Sequence, residues 1–265
     1  VGIVLLAAVL VFSRSTFGAK LSLLGIQPSE FIKISFVFFM AALMRKKHDF
    51  GTVVKATVVA GLHVGILVLS RDLGSAVIFF ITYVVMVYVA SGKFRYVILG
   101  MGGGSAAAVA AYYLFYHVQQ RVIIWQDPIG AYDEGGYQIA QSLFGIGSGG
   151  WFGVGLCQGS PEVIPVVTND FIFAAICEEL GGIFAICLIL VCMGFFFLIV
   201  NIALQIRNPF YKLIALGLGT EYAFQVFLTI GGGIKFIPMT GVTLPLVSYG
   251  GSSAMCTILM LSIIQ

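Results

Sequence analysis

The chain of 265 residues is 60% hydrophobic and only 9% charged, with a formal net charge of +3. A soluble domain carries about 25% charged residues, so the composition excludes a soluble globular protein and points to a polytopic membrane protein. The small net charge gives no footing for nucleic-acid binding.

The apolar runs are continuous rather than alternating, which selects helices over an outer-membrane barrel. Four of the five cysteines (Cys177, Cys187, Cys192 and Cys256) fall within those runs and suit buried thiols rather than a disulfide framework. His48, His63 and His117 are scattered and make no metal motif. The chain opens at Val1 inside an apolar run, without a methionine or basic leader. It therefore has the look of a piece whose N-terminal part is absent.

Val1 to Phe12 reads as the end of a span, followed by a loop from Arg14 to Pro28. Further spans are predicted at Ser29–Met44, Lys55–Ser70, Leu73–Ala90, Tyr96–Tyr116, Phe171–Val200, Tyr211–Gly231 and Val247–Gln265. The expected fold is an all-α transmembrane bundle of about eight spans, a single domain over residues 1–265 with one large loop at about 117–169.

Alternating these spans sorts the charges. One set of loops holds Arg45, Lys46, Lys47, Lys55, Lys93, Arg95, Arg207 and Lys212, with Asp49 the only acid. The other holds Asp72, Asp127, Asp133, Glu134, Glu162 and Asp170. Basic loops stay cytoplasmic, so the large loop and Asp170 are expected to face outward.

The polar residues cluster in a few places, each with a plain structural alternative. Gln27-Pro28-Ser29-Glu30 opens a span, and Lys33 shares a helical face with Glu30; taken alone, a structural ion pair is favoured. Arg71-Asp72-Leu73-Gly74 places an acid at another span start, where a helix cap explains it. His63 suits an interhelical hydrogen bond better than a ligand role. Glu221, alone near mid-span, is a functional candidate or the partner of a charge on another helix.

Gly145, Gly147, Gly149, Gly150, Gly153 and Gly155 permit tight turns and close backbone approach, and no Gly-Lys-Ser/Thr makes them a phosphate loop. Arg121 and Trp125 open the large loop, suited to a phosphate and a sugar or equally to an interfacial anchor. Asp170 precedes Phe171-Ile172-Phe173-Ala174 at a helix start, whose positive end should keep it ionised, as a general base requires. A simple helix cap is the alternative. Glu178 lies about 80° round that helix from Asp170, better placed to assist it than Glu179 at about 180°.

QPSEFIK, RDLGSA, GYQIAQS, NDFIFAAICEELG and GVTLPLVSYGGSS occur in that order across nearly the whole chain. Together they resemble the SEDS family, the RodA/FtsW/SpoVE group of bacterial cell-wall proteins. Members have ten spans, so the chain resembles the part from the third span onward. Thr168-Asn169 stands where the family usually has His-Thr, and Ser70-Arg71 where Gln-Pro often precedes the Asp-Leu-Gly motif.

The resemblance implies a peptidoglycan glycosyltransferase that polymerises lipid II at the outer face of the bacterial cytoplasmic membrane, beside a class B penicillin-binding protein. It maps the catalytic aspartate onto Asp170. Substrate contacts are expected from Glu30, Lys33, Asp72, Arg121, Glu178, Ser248, Tyr249 and Ser252. No organic cofactor is implied. The leaving diphosphate needs positive charge, for which Arg121, Lys33 or a divalent cation such as Mg or Mn are candidates. Two rival functions are a lipid II transporter using Glu30, Lys33 and Glu221, and a non-catalytic scaffold for the penicillin-binding protein.

Overall fold

The computed structural model describes residues 2–12, 27–45 and 50–265. Lys46, Lys47 and Asp49 of the basic loop, and the segment before Gln27, lie outside the described residues. Among the described residues the regular structure is all helical. In chain order the helices are α1 (Gly2–Phe12), α2 (Pro28–Met44), α3 (Phe50–Leu69), α4 (Leu73–Ser91), α5 (Arg95–Leu114), α6 (Tyr116–Gln126), α7 (Tyr137–Gly149), α8 (Ile172–Gln205), α9 (Pro209–Gly233) and α10 (Gly251–Ile264).

Burial is inverted relative to a water-soluble protein. Glu30, Lys33, Asp72 and Glu221 are each 5% exposed or less, while Leu99 and Leu190 are more than 60% exposed. Only a hydrocarbon solvent makes that arrangement favourable. Helices α3, α4, α5, α8 and α9 are long and apolar enough to cross a membrane. The spans expected at Val1–Phe12, Ser29–Met44 and Val247–Gln265 coincide with the shorter α1, α2 and α10, of 11, 17 and 14 residues. The chain is an integral membrane protein.

The region expected as a large loop contains two helices of its own, α6 and α7. Both are too short and too polar to register as spans, but α7 turns Ile139, Ala140 and Ser142 inward. Proximity in space divides the chain into two compact units, each built from separate stretches of sequence.

The first unit comprises Val1–Val109, Phe196–Phe224 and Gly251–Gln265. Val37, Met40, Ala41 and Met44 form the buried stripe of α2, at helical spacing. Between lipid-solvated helices, association rests on close packing rather than on the hydrophobic effect. Gly217 of α9 serves that packing: a Cβ there would lie 2.7 Å from Val37 Cγ1 and 3.0 Å from Met86 Sδ. Helices α3 and α4 join through a tight turn in which Arg71 takes φ 65° and Asp72 caps α4, accepting from the Ser75 amide. His63 bonds within its own helix, Nδ1 to the Val59 carbonyl at 2.8 Å, with its ring against Phe36 and Phe79. The expected interhelical bond is replaced by aromatic packing.

The second unit comprises Ala110–Phe195 and Gln225–Gly250. Helix α8 is broken at Gly181 (φ 83°, ψ 170°), and the Gly150–Gly155 segment lies against the break. The amides of Val154 and Gly155 donate to the carbonyls of Glu178 and Glu179 at 2.9 and 3.0 Å. In return the amides of Gly182 and Ile183 donate to the carbonyls of Gly150 and Trp151. The backbone groups freed by the break are thus satisfied by protein, as an apolar surround demands. The approach needs glycine, since a Cβ on Gly153 would meet the Glu179 carbonyl oxygen at 2.2 Å.

Candidate active site

In the second unit Asp170 sits just before α8, between two clamps. On one side Phe171 is 1% exposed and packs with Ile139, Ile164 and Ala174, anchoring the chain beside the carboxylate. On the other, Ser248 Oγ donates to the Asn169 carbonyl at 2.5 Å and the Tyr249 amide donates to the Thr168 carbonyl at 2.8 Å. Ser248 Oγ also accepts from the Leu244 amide at 2.8 Å, fixing the turn that delivers it. That turn delays α10 to Gly251, later than the expected span start at Val247.

Asp170 faces a narrow, open recess whose other walls come from the end of α9 and from Met239–Val242. Helix α6 fixes the chain leading into that wall. Arg121 and Trp125, one turn apart, donate to the carbonyls of Met239 and Lys235 at 2.9 and 3.1 Å. Lys235 reaches back to the Gln126 carbonyl at 3.2 Å. Within the recess wall, Thr229 donates to the Val242 carbonyl at 2.8 Å.

Burial lifts the Asp170 carboxyl to about 6, against the opposing pull of the Arg121 guanidinium. Desolvation thus works against the positive helix end that was expected to keep the group ionised. A carboxyl near 6 is still mostly ionised at pH 7, and it is a stronger proton acceptor than an exposed aspartate. Its side chain is no cap of the Asp72 kind.

Glu178 is 9% exposed and committed elsewhere, Oε1 accepting from the Ser160 amide at 2.9 Å. Its carboxylate packs where side chains on Gly145 and Gly159 would intrude. It organises the glycine-rich segment. Tyr249 presents a side chain 78% exposed.

The first unit holds the other expected residues. Lys33 Nζ lies 2.9 Å from Glu30 Oε2, both buried. Glu221 is within electrostatic reach of both charges, and its Oε1 is buried without a hydrogen bond. Asp72 Oδ2 accepts from Ser29 Oγ at 3.3 Å, so the Gln27–Glu30 and Arg71–Gly74 motifs meet through side chains. Ser252 is half-buried at the start of α10. Among the described residues no three His, Cys, Asp or Glu side chains converge.

Sequence reasoning missed the Met239–Val242 wall. Its signal was the Gly/Pro-rich stretch GGGIKFIPMTG, where apolar residues with a single threonine between spans look like an ordinary connection.

Fold and site define a polytopic membrane protein with a buried, raised-pKa carboxylate at the edge of its membrane helices. The chain belongs to the FtsW/RodA/SpoVE family, described as cell cycle proteins, whose family model matches residues 1–265. It is 37% identical over 261 residues to the "Peptidoglycan glycosyltransferase RodA" of Mycobacterium bovis, covering 91% of this chain and 55% of that relative. It is 35% identical over 271 residues to the "Probable peptidoglycan glycosyltransferase FtsW" of Aliivibrio salmonicida, covering 96% of this chain and 67% of that relative. The chain thus spans about half the length of the mycobacterial protein. A chain in a solved structure described as "Structural coordination of polymerization and crosslinking by a peptidoglycan synthase complex" matches with a TM-score of 0.83 and 26% identity, over 99% of this chain and 77% of that one.

Proposed function

We propose that the protein is a peptidoglycan glycosyltransferase that polymerises lipid II, with Asp170 as general base. The observation that carries this is the Asp170 carboxyl, lifted to about 6 by burial and held rigidly at a recess with Arg121 nearby. The names of the relatives support the peptidoglycan glycosyltransferase class, and lipid II is the substrate that the family resemblance implies. Asp170 takes the proton from the 4-hydroxyl of the acceptor's N-acetylglucosamine. That oxygen attacks the anomeric carbon of the donor's N-acetylmuramic acid from the face opposite the leaving group. The bond to the diphosphate breaks with its electron pair, undecaprenyl diphosphate departs, and the α-linked donor becomes a β-linked product. The proton on Asp170 then passes to water.

Arg121 supplies positive charge to this neighbourhood. Glu30, Lys33 and Asp72, with Ser252, serve the lipid-linked substrate within the membrane, and Ser248 and Tyr249 hold the loop that carries the base. The protein belongs in the bacterial cytoplasmic membrane with Asp170 facing outward, a placement supported by the charge asymmetry of its loops. Its partner is a class B penicillin-binding protein, in keeping with the synthase complex whose chain it resembles.

The test is purified protein supplied with labelled lipid II. Glycan polymer is the expected product, and Asp170→Asn should reduce it by about 10²–10⁴-fold. Translocation of lipid II in liposomes without polymer would make the protein a transporter. Neither activity, from folded protein bound to its partner, would make it a scaffold.

A further inference from the structure

We infer that Thr240 is a substrate contact in the Asp170 recess, its hydroxyl hydrogen-bonding the acceptor sugar beside the hydroxyl that Asp170 deprotonates. The inference rests on the glycosyl transfer proposed above and adds a residue that no sequence motif singled out.

Thr240 Oγ1 is shielded from solvent and has no hydrogen-bond partner. Native proteins rarely leave a buried hydroxyl unpaired, because its lost hydration is not recovered. The residue lines the same recess as Asp170. The other side-chain hydroxyl there, Thr229, is already engaged with the Gln225 and Val242 carbonyls. Leu228, Met239 and Val242 bring only apolar side chains, and Gly232, Gly233 and Gly241 bring none. The uncommitted polar chemistry of the recess is therefore one carboxyl and one hydroxyl.

The unpaired hydroxyl does not belong to a loose connection. Arg121 holds the Met239 carbonyl, Thr229 holds that of Val242 and Gln225 that of Thr243. Gly241 adopts φ 71°, and a Cβ there would lie 3.8 Å from Asp170 Oδ2, so this backbone runs close to the carboxylate. Thr240 is thus presented to the recess by chain pinned on both sides.

A hydroxyl offers one donor and two acceptor sites, matching the hydroxyls and acetamide of an amino sugar. A second contact beside the base adds to acceptor binding equally before and during the transfer, so its worth is read in the acceptor KM. Valine would fill the same volume without an orphaned hydroxyl. The cost to folding is retained where a ligand supplies the missing bond.

The experiment compares wild type, Thr240→Val and Thr240→Ser, using a fixed concentration of labelled lipid II as donor and a short preformed glycan strand as acceptor. Thr240→Val should raise the acceptor KM by about 3- to 10-fold, the worth of one neutral hydrogen bond. It should change kcat by no more than about twofold, leave the acidic limb of the pH profile near 6, and melt no lower than wild type. Thr240→Ser should retain the wild-type KM. A wild-type KM in Thr240→Val, or loss of activity only in proportion to lost folded protein, would overturn the inference and leave the proposed transferase intact. If folded wild type forms no polymer, the transferase proposal falls. Thr240 is then decided by glycan-induced thermal shift: a smaller shift in Thr240→Val supports the contact, an equal one overturns it.

Discussion

Ser248 hydrogen-bonds the carbonyl of Asn169, the residue immediately before Asp170, across 79 positions of sequence at 2.5 Å. The same oxygen accepts from the Leu244 amide, so one hydroxyl joins the turn before α10 to the loop bearing the base. Ser248→Ala strips both bonds. Leaving buried backbone groups unpaired costs about 1–3 kcal/mol each, so the variant should melt lower than wild type. Its kcat should fall, because Asp170 is no longer held in register, while lipid II binding persists. A thermal melt and a polymerisation assay on the same sample check this; unchanged kcat would show that the loop is held without Ser248.

The Glu30–Lys33 pair should respond to loss of either partner. Lys33→Met leaves the buried carboxylate of Glu30 without its partner and within electrostatic reach of Glu221, and breaking a buried pair costs about 3–5 kcal/mol. The expected result is a large fall in melting temperature in detergent. Adding Glu30→Gln to Lys33→Met should recover part of it, since the unbalanced charge is removed. Equal stability of Lys33→Met and wild type would mean that the ion pair contributes nothing to the bundle.

Gly153→Ala should disrupt the meeting of the glycine-rich segment with the break in α8. The residue has φ 78°, and its new methyl would stand at the Glu179 carbonyl oxygen. Neither strain has a flexible side chain to absorb it. Folded yield should drop sharply, while Gly147→Ala, where a Cβ meets nothing within 4 Å, should express as wild type. Equal yields would show that the segment can leave the break without penalty.

The spans were legible because hydrocarbon imposes long uncharged runs, and five of those expected emerged as full membrane-length helices. The Glu30–Lys33 pair was legible for a similar reason: two charges at helical spacing in an apolar run must find each other. The role of the glycines was half visible, since close approach was expected but not the broken helix they approach. In the sequence Gly181 is one of two adjacent glycines inside an apolar run, with nothing beside it that marks a break. The state of Asp170 was not legible, because desolvation depends on packing by Phe171 and by residues some seventy positions away. Thr240 was invisible for the same reason, as an unpaired hydroxyl exists only once its neighbours have bonded one another.

The proposed orientation can be checked with a native residue. Cys157 is exposed within the 117–169 region, and the other cysteines lie in α8 or α10. A membrane-impermeant maleimide added to intact spheroplasts should label Cys157, and Cys157→Ser should abolish that labelling. Labelling that requires permeabilisation would place this region, and Asp170 with it, on the cytoplasmic side and remove the extracellular site.

Asp170 yields the most diagnostic expectation, since its catalytic and stability effects have opposite signs. As a base it must be deprotonated, so polymerisation should fall as pH drops through about 6, well above the ordinary aspartate value of 3.8. The linkage follows from the same shift. The folded state holds the proton more tightly than the unfolded chain, so burying the ionised carboxylate opposes folding at neutral pH. Stability from this group therefore rises as pH falls from about 6 toward 3.8 and is constant below that window. Asp170→Asn removes the charge at every pH. It should melt higher than wild type at pH 7.5, by up to about 3 kcal/mol in unfolding free energy, and the advantage should disappear near pH 4. Over the same range its polymerisation should stay at background. Matched melts and lipid II assays across pH 4–8 measure both. A variant that is less stable than wild type at neutral pH yet active would identify Asp170 as a structural residue, and the search for the base would move to another carboxylate.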